Sequence, residues 1–208
     1  RCRWRRVCSG VMRTSARRST VLRAAVGPGR GVLLAEADPF VHGLGHHARA
    51  IMTESPEAQA FFNQGLTWAF AFNYDEAIRS FKAAAKHDPD CAMAWWGIAL
   101  CNGPHINNPV MSDKQSREAW SAIQRAMSLR EKTSYPEAKL IEALATRYAE
   151  NPPADRRALN EAYAAAMKTI FEMDINDFDM ASLYAESLMD LQPWDLWTPD
   201  GQPKGNTE

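Results

Sequence analysis

Three histidines fall close together in "VHGLGHH": His42, His46 and His47. With Met52 downstream they offer imidazole and thioether groups, ligands suited to a transition metal. The glycines between them leave that set without a preformed geometry, and no ligand-spacing motif accompanies it. A further histidine, His105, stands in "CNGPHINNPVMS", residues 101–112, among Asn102, Asn107, Asn108 and Met111. It is available to such a site or to a bound ligand, although Asn and Pro are also what a loop needs for its turns. Signatures of catalysis are missing: there is no G-x-S-x-G and no H-E-x-x-H, and "GPGRG" is not followed by the Lys-Ser/Thr of a phosphate-binding loop. Carboxylate pairs such as Asp75 with Glu76 fall at helix starts, where capping and the helix dipole account for them. No catalytic residues emerge, no cofactor is implied beyond a metal on the histidines, and the chain does not read as an enzyme.

The composition is that of a globular protein, with 46% apolar and 24% charged residues over 208 positions. Its charge is divided unevenly. The first 35 residues carry nine of the 24 basic residues and no acidic one, leaving 15 basic against 25 acidic residues in the remainder. Residues 1–40 have no periodic apolar face and no long apolar run. They read as a disordered stretch, an organelle- or export-type targeting segment, or a non-native extension. A basic tail alone does not establish nucleic-acid binding, and no stretch is apolar for long enough to span a membrane. Cys91 and Cys101 fall on one expected helix, about 15 Å apart at the α-helical rise, so they cannot bridge each other and read as core.

From Ser55 the sequence is punctuated for helices. "SPE" supplies an N-cap, a proline at the first helical position and an acid in the first turn. After "NYD" a second helix carries Ala77, Ile78, Phe81 and Ala84 on one stripe and stops at "HDPD", where Pro89 disfavours helix in the residue before it. The next helix, "CAMAWWGIALCNG", places Trp95 at 34 residues after Phe61. Capping boxes at Ser112/Gln115 and Ser134/Glu137 open the fourth and fifth helices, "RALNEAYAAAMKTIFEM" forms the sixth, and a seventh spans about Asp177 to Asp190.

A period of 34 residues in helix pairs resembles the tetratricopeptide repeat family. Phe61, Gly65 and Trp68, then Ala77, Phe81, Ala84 and Pro89, follow that family's pattern, with Gln64 departing from its usual Leu. In the second unit Trp95 and Ile98 are kept, Ala99 stands in the glycine's place, and eight extra residues separate the two helices. The resemblance implies an all-α solenoid of about three and a half helix-turn-helix repeats over 55–192. It is preceded by a lead-in at 41–54 and followed by a Pro/Gly/Trp-containing tail at 193–208. More narrowly, the chain resembles a group of bacterial repeat proteins, often exported and usually longer, which implies an exported or periplasmic location and an N-terminal fragment of a larger chain.

The family commonly holds extended peptides in a concave groove lined by its first helices. By position that lining is Phe62, Leu66, Phe70, Trp96 and Leu100, joined by Asn102, His105 and Asn107 from the inserted loop. The surface is apolar and aromatic, so the resemblance implies a hydrophobic protein or peptide partner. The alternative is a metal- or small-molecule-binding protein using His42, His46, His47 and the 103–111 loop. The seventh helix has no following mate, so its apolar face is expected to be covered by a second copy of the chain or by further sequence. Lastly, "DCAMAWWGIALCNGP" aligns with "DMASLYAESLMDLQP" at an offset of 89, pairing Pro104 with Pro193. Equivalent turns of a repeat stack lie on one edge, so the loops after these two prolines should meet there.

Overall fold

A computed structural model describes residues 40–205. The basic segment discussed above lies outside the described residues, apart from its last position. Seven α-helices follow one another: α1 (Pro56–Phe70), α2 (Tyr74–His87), α3 (Ala92–Asn102), α4 (Asp113–Leu129), α5 (Tyr135–Ala145), α6 (Arg157–Met173) and α7 (Phe178–Met189). A single 3-10 turn, Arg130–Lys132, joins α4 to α5. Among the described residues there are no strands, only two isolated bridges, His105 with Asn108 and Trp197 with Pro203. The described residues are thus all-α, and no described helix is long and apolar enough to cross a membrane.

The helix boundaries follow the punctuation. Ser55 accepts a hydrogen bond from the Ala58 N–H at the start of α1, and Ser112 and Ser134 form capping boxes with Gln115 and Glu137. The second carboxylate oxygen of Glu137 accepts from the Met52 N–H at 2.8 Å, so one acid both caps α5 and anchors the lead-in segment. Between α1 and α2 the chain turns through Phe72 in the left-handed region (φ 58), a conformation uncommon for a bulky residue. Asp177 caps α7, accepting from the N–H groups of Asp179 and Met180.

Each helix packs on the next, and α3 also touches α1 and α5. A close contact centres on Phe81 of α2, fully buried between glycines of two other helices. A Cβ on Gly65 of α1 would sit 2.7 Å from that ring, and one on Gly97 of α3 would sit 2.6 Å from it. Close approach on both sides, rather than conformational freedom, is what these glycines provide. On α3 it is Gly97, two residues before Ala99, that meets this ring. Ala99 serves another contact: its carbonyl accepts from the buried Tyr148 hydroxyl at 2.7 Å.

Candidate functional site

Loop 103–111 is a partition between two surface clefts. On one side a cleft of about 630 Å³ lies between this loop, the α1–α2 turn and the start of α4, with Phe72, Tyr74, Asn102, His105 and Lys114 on its walls. On the other, a cleft of about 640 Å³ is shared by three connections. Pro109, Val110 and Met111 come from the α3–α4 loop, Pro152, Pro153 and Arg156 from the α5–α6 loop, and Asp190, Leu191 and Pro193 from the end of α7. The loop that follows Pro104 thus meets Pro193 at this cleft, through Pro109, Val110 and Met111. Val110 stands 72% exposed at the rim.

Beneath the loop is a buried polar cluster assembled from α5, α7 and the loop itself. Arg147, just past α5, donates to Asp190 at 2.6 Å, with both side chains 3% exposed. The same guanidinium lies 4.8 Å above the Tyr163 ring and donates through Nε to Asn160. Arg156 crosses to donate to the Arg147 carbonyl at 2.7 Å. One turn before Asp190 on α7, Glu186 accepts from the Tyr74 hydroxyl at 3.3 Å and from the Ile106 backbone N–H. The imidazole of His105 packs on the Tyr74 ring with centroids 4.1 Å apart. Between these groups is a cavity of about 20 Å³, walled by Leu66, Phe70 and Leu100 on one side and by Leu183, Glu186 and Asp190 on the other.

Burial governs the electrostatics here. It pushes the Glu186 carboxyl upward, reinforced by the neighbouring Asp190, and pushes Asp190 upward against the pull of Arg147. His105 is held below the ordinary imidazole value by burial and by Arg147. The Tyr148 hydroxyl rises to about 12, mainly through burial. For Arg147 burial opposes the charge, yet Tyr148 and Asp190 outweigh it and keep the guanidinium protonated.

These directions fix a pH signature. A carboxyl whose folded pKa is raised holds its proton better in the folded than in the unfolded chain. Its stabilising contribution is complete below about pH 4 and is lost as pH rises through the folded value. His105 works the other way: its contribution is present above about pH 6.5 and fades as pH falls through its depressed value. Glu186→Gln removes only the first effect. The variant's Tm, taken relative to wild type, should therefore climb between pH 5 and pH 7.5 in circular-dichroism melts. A flat difference would mean that Glu186 is not held above the usual carboxylate range.

The residues expected to line a concave groove divide into three groups. Phe62, Leu66 and Trp96 are core: Phe62 packs on Phe81, Leu66 faces the cavity under α7, and the Trp96 indole donates to the Leu140 carbonyl on α5. The expectation of an open lining is corrected at these three positions, because their faces of α1 and α3 meet neighbouring helices. Phe70 and Leu100 are half-buried on the cavity wall. Asn102 is buried and donates to the Ile98 carbonyl one turn back in its own helix, His105 stands at the junction of cleft and cavity, and Asn107 is exposed on the loop.

The metal reading of the lead-in histidines is corrected too. His42 packs edge-on to Phe40, His46 is exposed, and His47 pairs with Asp179 at 3.1 Å and packs against Phe70. No group of three or more His, Cys, Asp or Glu residues suited to a metal occurs among the described residues. The lead-in instead fastens α7, with Arg49 reaching Asp177 at 2.9 Å and Asp179 at 3.2 Å.

Sequence reasoning did not reach Arg147, Glu186 or Asp190. One signal was available: Arg147 follows Leu144 by one helical turn beside Tyr148, and Asp190 continues the Leu183–Ser187 stripe. A charge on an apolar stripe marks a buried pair, without naming its partner. No family model matches this chain, and no curated protein or solved structure matches it either.

Proposed function

We propose that this chain is a tetratricopeptide-type helical-repeat module that binds a hydrophobic peptide or protein segment. Binding takes place at the edge cleft between the 103–111 loop, the 152–156 loop and the end of α7, not in an open concave groove. The observation that carries this reading is the convergence of three separate connections on one cleft of about 640 Å³. Its walls combine proline and aliphatic side chains with polar and charged ones: Asp113, Ser116, Asp155, Arg156, Arg157, Asn160 and Asp190. The apolar part, Pro109, Val110, Met111, Pro152, Pro153, Leu191 and Pro193, would take the partner's hydrophobic side, and its prolines hold the walls in place with little entropy left to lose on binding. The groove alternative is disfavoured because Leu66, Phe70 and Leu100 share their cavity with α7.

The test is a selection of linear peptides displayed on phage against the full chain, followed by affinity measurement on Val110→Asp. Val110 is exposed, so the exchange should leave Tm within a few degrees while placing a charge against the ligand's apolar side. Affinity should fall tenfold or more, about 1.4 kcal/mol or greater. Phe72→Asp, in the cleft on the other side of the loop, should leave affinity unchanged. Peptides that bind Val110→Asp and wild type alike would place the site elsewhere.

A further inference from the structure

We infer that the cavity between the 103–111 loop and α7 binds a single water molecule that bridges His105 Nδ1 to Asp190 Oδ1. Both residues line this cavity. Both atoms are buried and have no hydrogen-bond partner among the described residues. Asp190 is 6% exposed; its Oδ1 is buried, while its other carboxylate oxygen is engaged by Arg147. A volume of about 20 Å³ admits one water and no larger ligand.

The donor and acceptor inventory agrees. An ionised Asp190 and a neutral His105 with its proton on Nε2 present two acceptors, and one water has two protons to give. Arg147 and Tyr163, on the same cavity wall, carry donors for the water oxygen. Two buried acceptors left unpaired are rare in native interiors, and a bridging water is the ordinary way they are satisfied. The water then adds a third tie between loop and helix. Glu186 holds the loop backbone at Ile106 and Tyr74 packs on the His105 ring, while the water fastens the imidazole to the Arg147–Asp190 pair. The loop that separates the two clefts is thereby keyed to α7 through His105, a positioning residue.

The experiment uses the full chain at pH 7.5 with uniform ¹⁵N and ¹³C labelling. Long-range ¹H–¹⁵N spectra of the imidazoles and water–protein cross-relaxation are recorded on wild type and on Ser187→Val. Ser187 is 1% exposed on the cavity wall, and its replacement adds carbon where the water would sit. The expected result is a His105 ring protonated at Nε2, its Nδ1 resonance displaced from that of a free acceptor, and a cross-peak between water and the His105 ring proton. Ser187→Val should abolish both the displacement and the cross-peak. A His105 protonated at Nδ1, or a wild-type ring with no water contact, would overturn the inference. Should Ser187→Val not fold, the wild-type spectra decide the matter alone.

Discussion

Asp190→Ala should lower the free energy of unfolding by about 3–5 kcal/mol, the largest effect expected of any single polar substitution in this chain. Most of that loss comes from what remains. Arg147 is buried on all sides, and without its partner the guanidinium keeps a charge it can neither release nor solvate. Arg147→Met with Asp190→Leu removes both charges and retains the volume. That pair should be nearly neutral or mildly stabilising, because burying two ions costs about as much as their attraction returns. Urea titrations of the two single variants and the double variant make the comparison, with the slope of the transition checking that each unfolds as one unit. A single-variant loss under about 1 kcal/mol would mean that solvent reaches this pair and screens it. The same set reads out the cleft, since Asp190 lies on its wall. If the double variant is stable yet fails to bind the selected peptides, the pair serves recognition; if it binds them, the pair serves only to hold α7.

How much of this was legible in the sequence depends on the range of the interaction. Local signals carried far: the Ser55, Ser112 and Ser134 caps, the stop before Pro89 and the helical stripes place all seven helices. The recurrence of Pro104 and Pro193 at one offset anticipates that their loops share a flank. What the sequence did not reveal is which face of a helix meets which neighbour. Phe62 and Trp96 carry the same residue types a binding groove would, and their burial is decided by α2 and α5, elements distant in the chain. Periodicity locates an apolar face, but it cannot say whether that face is covered. The acids of α7 illustrate the same limit. Asp177, Asp179, Glu186 and Asp190 turn toward Arg49, His47, Tyr74 and Arg147, residues separated from them by up to 132 positions.

That pattern bears on function. α7 and its two ends are held by charged contacts to Arg49 and Arg147 in addition to the buried Met180 and Leu183. Contacts of this kind are specific in direction, so they fix the angle at which α7 lies. The position of Asp190 and Pro193 on the cleft wall follows from that angle. The lead-in segment, through Arg49 and His47, and the loop, through Ile106, therefore bear on the shape of one cleft although neither lead-in residue lines it.

Phe81→Ala should cost about 3–5 kcal/mol by opening a cavity where three helices meet. Its ring is fully buried, with Gly65 and Gly97 pressed against it, so neither neighbouring helix carries a side chain there that could swing in to fill the space. The same geometry predicts how the loss can be recovered. Gly97→Ala alone should destabilise by about 1–3 kcal/mol, because its new Cβ would stand 2.6 Å from the ring and the close-packed helices cannot yield. In a Phe81→Leu background that methyl group meets a smaller side chain and occupies part of the space the ring has left. The double variant should then be more stable than the sum of its parts by roughly 0.5–3 kcal/mol. Thermal and urea unfolding of the four proteins measure this coupling. Strict additivity would show that Gly97 and Phe81 do not touch in solution, and the packing of α1, α2 and α3 about that ring would have to be redrawn.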